Sequence, residues 1–235
     1  MVFKLSNPRS IYKRIYFYHI RKTAGTSINY SFFQLSGENP MRVHAMIRSS
    51  PEKCFSMGNL VYQGSDRDRL LIGDFSYGFS HIPFHQLHLP MSTFTFTILR
   101  DPAARLISHY KMILDYQKMD VKRDWLATEL TWIGNSFSDF LRNIPKERLL
   151  NQLFMFSSTY SPEEAANNIR CCSLYFFLKN FEQGLADLST LLGVDLAYIH
   201  TRRGVYDPMI TPQEFDDLYE RLKPEYDMLQ CLEYT

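Results

Sequence analysis

Patterned cysteine, a surplus of charge and long apolar runs are all missing from this sequence of 235 residues. Its four cysteines form no Cys-x-x-Cys: Cys54 and Cys231 stand alone, and Cys171 and Cys172 are adjacent in an apolar run. That excludes a disulfide framework and a Cys/His zinc site, and points to reduced thiols. The 26 Lys+Arg against 25 Asp+Glu leave a formal charge of +1, so the general basic footprint that holds nucleic acid is absent. No stretch approaches the length of a membrane span, and the first residues (MVFKLSNPRSIYKR) lack the apolar centre of a signal peptide. The expectation is a cytoplasmic chain with no membrane segment. No repeat, low-complexity tract or linker divides it, which predicts a single domain over 1–235.

What the sequence does contain is a large core. Hydrophobic residues make up 45% and aromatics 15%, with 18 Phe and 15 Tyr but only 2 Trp. Residues 14–20 (RIYFYHI) are apolar almost without interruption, as in a strand buried on both faces of a parallel sheet. Further strands are expected at 70–74 (LLIGD), 93–99 (TFTFTIL) and 173–178 (SLYFFL). Helices are expected at 28–35, at 103–117 behind Pro102, after Ser161-Pro and Thr211-Pro, and at 179–192 before Gly193. Strands alternating with helices predict an α/β fold, three layers of P-loop-like type, with a central, mainly parallel sheet flanked by helices.

Charge is locally uneven. The first 37 residues carry six basic side chains (Lys4, Arg9, Lys13, Arg14, Arg21, Lys22) and no acid, whereas seven acids follow Thr211. That asymmetry suits an anionic ligand in the N-terminal third. The segment HIRKTAGTS, residues 19–27, directly follows the first strand. Small residues between a strand and a helix let backbone N–H groups converge on one anion, aided by the helix dipole. Lys22 adds a cation, Thr23, Thr26 and Ser27 add hydroxyls, and Ala24 and Gly25 permit close approach. Lys comes early here and the first glycine of G-x-x-x-x-G-K-[ST] is missing, which counts against an ATP- or GTP-hydrolysing P-loop. A second element, ILRDPAARLISH at 98–109, joins another strand to a helix. It places Arg100 where ligands lie at the carboxyl end of open sheets, with Ser108 two turns along the helix.

Together HIRKTAGTS and TILRDPAARLISHY resemble the 5′-phosphosulfate loop and the 3′-phosphate element of sulfotransferases that use 3′-phosphoadenosine 5′-phosphosulfate (PAPS). The resemblance is to the carbohydrate-type enzymes related to heparan sulfate 2-O- and 6-O-sulfotransferases, including small bacterial members. It implies an enzyme that moves a sulfuryl group from PAPS to an acceptor hydroxyl, most simply on a carbohydrate, without a metal. It also implies that Lys22 stabilises the leaving nucleotide and that Thr23, Ala24, Gly25, Thr26 and Ser27 hold the phosphosulfate. Arg100 and Ser108 would hold the 3′-phosphate, and Arg202 or Arg203, in a loop near the C-terminus, would lend a further cation.

Relatives place a Gly-His pair before the second element, with the histidine as base. Here the matching residues are Gly73-Asp74, so Asp74 is the first candidate base and His81 the second, with His85 and His88 following at helical spacing. Two other readings stay open: a P-loop nucleotide kinase, and a degenerate relative that binds nucleotide without a base. Residues 38–68 and 120–148 carry no motif and are candidates for the acceptor cleft. His109, Cys171 and Cys172 read as packing, and the acidic helix after Thr211 as a solvated cover turning Phe215, Leu218, Leu222 and Leu229 inward.

Overall fold

The computed structural model describes residues 12–119, 124–199 and 208–233. In chain order its elements are β1 (Arg14–Tyr18), α1 (Gly25–Phe33), α2 (Pro40–Ser49), β2 (Cys54–Met57), β3 (Leu60–Gln63), α3 (Arg67–Ile72), β4 (Tyr77–Ser80), β5 (Thr93–Leu99), α4 (Pro102–Lys118), α5 (Asp124–Leu130), α6 (Phe137–Asn143), α7 (Lys146–Leu149), α8 (Asn151–Phe156), α9 (Pro162–Arg170), β6 (Leu174–Phe177), α10 (Phe181–Leu192) and α11 (Pro212–Glu233). Its described residues pack as two units, one within Met1–Leu99 and Asn167–Thr201 and the other within Arg100–Ala166 and Arg202–Thr235.

The first unit holds a six-stranded sheet in the order β2-β3-β4-β1-β5-β6. Every neighbouring pair is parallel except the β2–β3 hairpin. The apolar strand RIYFY is therefore central, hydrogen-bonded to β4 on one side and β5 on the other. Ile15 and Phe17 of β1 and Phe94, Phe96 and Ile98 of β5 share a core with residues of α1, α2 and α10. This is the predicted α/β fold, a mainly parallel sheet flanked by helices.

Within that core Ile28, Phe32 and Phe33 of α1 are fully buried. Each contributes about 1.5–3 kcal/mol of transfer free energy, enough in sum to seat the helix firmly on the sheet. Phe32 stacks on Tyr77 at 4.0 Å between ring centroids. The Tyr77 hydroxyl donates to Asn29 Oδ1 at 2.7 Å and the Tyr62 hydroxyl to the Phe32 carbonyl at 3.1 Å. The start of α1, and the loop before it, are thereby fixed to the sheet.

The second unit is helical among its described residues. Leu106 and Ile113 of α4, Phe140 and Leu141 of α6, Leu153 and Phe156 of α8, and Leu218 and Leu222 of α11 are all fully buried. As predicted, Ser161 caps α9 and Thr211 caps α11, and α10 ends at Gly193 with φ 64°.

Three expectations are corrected, and one element is added. Residues 70–74 do not form a strand: Asp66 accepts from the Arg69 N–H at 3.2 Å, Gly73 closes the turn at φ 81°, and α3 lies between them. Two local caps decide against the apolar run; the strand comes later, as β4. The β2–β3 hairpin, absent from the expected strands, turns through Gly58-Asn59 with Gly58 in the left-handed conformation at φ 57°. His81, His85 and His88 share no helix, since His81 follows β4 and His85 sits in the 3-10 turn Phe84–Gln86. In α11, Met228 rather than Leu229 is fully buried, Phe215 stays 36% exposed, and the helix buries one acid, Glu225, completely.

Candidate active site

β1 ends at Tyr18 and α1 begins at Gly25, so six residues make the connection. Two of them, Lys22 at φ 70° and Ala24 at φ 62°, adopt the left-handed conformation although neither is glycine. A side chain with Cβ costs about 1–2 kcal/mol there, so the surrounding structure must impose it. The fully buried Thr23 supplies part of that constraint by donating its hydroxyl to the Ile20 carbonyl at 2.9 Å. Left-handed residues alternating along a turn bring successive N–H groups to one side, the geometry of an anion nest. Strain of this kind concentrates at functional sites.

The nest runs into a helix start that offers donors. Asn39, Asp66, Asp101 and Ser136 cap α2, α3, α4 and α6 with their side chains. At α1 the capping position is Ala24, with no side-chain cap and no acid in the first turn. The dipole and the first N–H groups of α1 thus meet no carboxylate or hydroxyl from its own cap.

Gly25 is required by packing. A Cβ there would stand 1.7 Å from His19 Nε2, so the imidazole occupies the space a side chain would need. That ring lies at 5.1 Å and 16° from Phe17 and at 4.3 Å from the ring of His81. Its pKa is held well below the usual histidine value by burial first, then by His81, Arg21, His44 and Lys22. His19 is therefore neutral at pH 7, with the basic side chains of Arg21 and Lys22 nearby.

His81 follows β4 at the same end of the sheet. Its Nδ1 lies 2.5 Å from the His19 carbonyl. A carbonyl only accepts, so Nδ1 carries the hydrogen and, in the neutral ring, Nε2 carries the basic lone pair. The preceding Ser80 is held by the Tyr16 hydroxyl at 2.6 Å and itself accepts the Ile82 N–H at 3.0 Å. The imidazole has the fixed tautomer and braced backbone that a general base requires.

Asp74 is placed differently. β1 and β4 are parallel, with Ile15 opposite Tyr77 and Tyr18 opposite Ser80. Residues before Tyr77 therefore lie at the amino end of the sheet, and residues after Ser80 lie at the carboxyl end with the loop. Asp74 is exposed, next to Gly73, which packs against Arg14 and Pro90. A strand's length, about 10 Å at ~3.3 Å per residue, separates its end of β4 from that of His81. The structure joins Lys22, Thr23, Ala24, Gly25, Thr26 and Ser27 with His81 and leaves Asp74 out. Because residues 67–72 are helical and β4 starts only at Tyr77, Asp74 lies at the sheet edge opposite the loop.

The second element lies in the other unit. Arg100, half-buried, directly follows β5 in the chain, and Asp101 caps α4 by accepting from the Ala104 N–H at 2.7 Å. Burial lowers the Arg100 pKa, the adjacent Asp101 opposes the shift and Arg105 adds to it; the guanidinium remains charged. Ser108 is half-buried in α4, about 10 Å along the helix from its cap at ~1.5 Å per residue. The next residue, His109, is fully buried with Nε2 2.8 Å from Glu129 Oε2, and Arg148 Nε lies 3.4 Å from the same carboxyl group. This is an internal ion-pair cluster, in keeping with a packing role for His109.

Sequence reasoning missed Gln152, Glu225 and the pairing of Arg105. Gln152 accepts the Arg100 N–H at 2.8 Å and donates to the Arg100 carbonyl at 2.9 Å. Glu225 and Arg105, both fully buried, approach to 3.7 Å. No local pattern announces a buried acid in an acidic helix. Arg202 and Arg203 lie outside the described residues, as do Lys4 and Arg9. Among the described residues no cluster of His, Cys, Asp or Glu is placed to hold a metal ion, and no helix is long and apolar enough to cross a membrane.

Comparison with known proteins bears on the family of the chain. No curated protein matches the sequence significantly. A solved sulfotransferase from Alicyclobacillus acidocaldarius is similar in structure at 13% identity and a TM-score of 0.44, over 94% of this chain and 95% of that one. A likeness so distant transfers no residue's role. The sulfotransferase family model matches residues 11–198, a span that runs from β1 through the loop of residues 19–27 and the Arg100–Ser108 segment and past α10. The nest at the end of β1 and the Arg-Asp-Pro turn after β5 thus fall within one family pattern, and the chain belongs to the sulfotransferase family.

Proposed function

We propose that the protein transfers a sulfuryl group from PAPS to an acceptor hydroxyl, with the loop of residues 22–27 holding the phosphosulfate and His81 acting as base. The observation that carries this reading is the strained turn at Lys22 and Ala24, which leads into an α1 start without a side-chain cap and is joined through His19 to His81. Backbone N–H groups of residues 23–27, with the Thr26 and Ser27 hydroxyls, bind the anion. The Thr23 hydroxyl already serves the loop itself. Arg100 and Ser108 take the 3′-phosphate, as the family resemblance implies.

Transfer is an in-line displacement at sulfur. As the acceptor oxygen forms its bond to sulfur, the bond from sulfur to the bridging oxygen breaks and charge gathers on the leaving phosphate. The Lys22 ammonium balances that charge. Nε2 of His81 takes the acceptor's proton, a contribution of typically 10²–10⁴-fold in rate. A carbohydrate hydroxyl is the proposed acceptor, on the resemblance to carbohydrate-type enzymes, and the net charge of +1 favours a neutral sugar over a long polyanion.

Calorimetric titration with 3′-phosphoadenosine 5′-phosphate, run without metal, tests the donor site. Binding in the micromolar range, about −8 kcal/mol, with at least tenfold loss in Arg100→Ala, supports the reading. Preference for ADP with magnesium would overturn it in favour of a kinase. Nucleotide binding without turnover of any hydroxyl acceptor would identify a relative that has lost transfer.

A further inference from the structure

The Arg100 turn is held by a buried polar network that the two phosphate motifs do not contain. Gln152, fully buried in α8, engages both backbone groups of Arg100 through its amide. The same amide nitrogen donates to Glu225 Oε2 at 3.1 Å. Glu225 Oε1 accepts the N–H groups of Gln152 at 2.7 Å and Leu153 at 3.3 Å, so the carboxylate also fixes the backbone that carries Gln152. On its other side Glu225 faces Arg105, whose guanidinium donates to the carbonyls of Leu149 and Arg148. The next residue of α11, Tyr226, donates its hydroxyl to Asp101 Oδ2 at 3.1 Å and accepts the Ala103 N–H at 3.4 Å. Two successive α11 residues thus secure the turn, one through Gln152 at Arg100 and the other directly at Asp101 and Ala103.

Burying this much polarity is costly unless each group is matched, and an apolar α11 would cover α8 at less expense. What the network adds is a defined backbone at Arg100. α11 lies beyond residues 11–198, the span of the family match. From these contacts we infer that Gln152, Glu225 and Tyr226 are positioning residues that orient Arg100 for the 3′-phosphate, which makes α11 part of the donor-recognition machinery. The inference rests on the reading of Arg100 as the 3′-phosphate ligand.

The measured quantity is the ratio of affinities for 3′-phosphoadenosine 5′-phosphate and adenosine 5′-monophosphate, which differ only in the 3′-phosphate. It is determined by calorimetry for the wild type, Arg100→Ala, Gln152→Met and Tyr226→Phe, each with its Tm. Gln152→Met should lower the ratio about tenfold and Tyr226→Phe several-fold, with adenosine 5′-monophosphate binding unchanged, because a small displacement of a binding group weakens only the contact it makes. A purely structural role would lower Tm and leave the ratio at its wild-type value in both variants, which overturns the inference. If Gln152→Met does not fold, Tyr226→Phe, which removes one surface-accessible hydroxyl, decides alone. A wild-type ratio near one, or a ratio unaffected by Arg100→Ala, instead overturns the reading of Arg100.

Discussion

Replacing Gly25 by alanine tests whether the His19 imidazole and the loop backbone compete for one space. The new Cβ would stand 1.7 Å from His19 Nε2 and 2.2 Å from Cδ2, so either ring or loop must move by more than an ångström. The ring cannot swing away without leaving Phe17 and His81. The loop cannot retreat without disturbing two left-handed residues and the seat of α1. Overpacking of this kind costs roughly 1–3 kcal/mol, a fall in Tm of about 2–4 °C per kcal/mol for a chain of this size. The decisive assay is a double-mutant cycle with His19→Ala, read by urea denaturation. Truncating the imidazole opens the space the Cβ needs, so the double variant should be more stable than the sum of the single effects by at least ~1 kcal/mol. Additivity within about 0.3–0.5 kcal/mol would refute the argument that this contact is why residue 25 is glycine.

Other consequences follow from the same geometry. His81→Ala should lower kcat by about 10²–10⁴-fold with nucleotide affinity unchanged, whereas Asp74→Asn should leave turnover near wild type; the reverse pattern in steady-state kinetics would restore Asp74 as base. Burial depresses the His19 pKa in the folded state, so below about 6.5 the unfolded chain takes up a proton that the folded one refuses. Stability should be full above that pH and decline as pH falls from there toward the depressed folded value, a slope in Tm between pH 7.5 and 5.5 that His19→Phe flattens. Glu225→Ala leaves the buried Arg105 charge uncompensated and should cost about 3–5 kcal/mol by chemical denaturation, whereas the exposed pair Arg42–Glu38 should contribute under about 1 kcal/mol when broken by Glu38→Gln.

Local chemistry alone determined much of this protein. The apolar strands at 14–18 and 93–99, the capped starts at Asp101, Ser161 and Thr211, and the small-residue loop between strand and helix are each decided by neighbours in sequence. Those features sufficed for the α/β fold and for singling out the two strand-to-helix turns proposed to bind the donor. Tertiary structure decided the rest. A parallel sheet puts the two ends of one strand on opposite edges, so the register of β4 with β1, invisible in the run LLIGD, separates Asp74 from the loop and brings His81 to it. The need for Gly25 arises from a ring six residues earlier, and the burial of Glu225 from backbone N–H groups more than seventy residues away. Long-range pairing satisfies polar groups that no local pattern reveals, and that is where sequence and site part company.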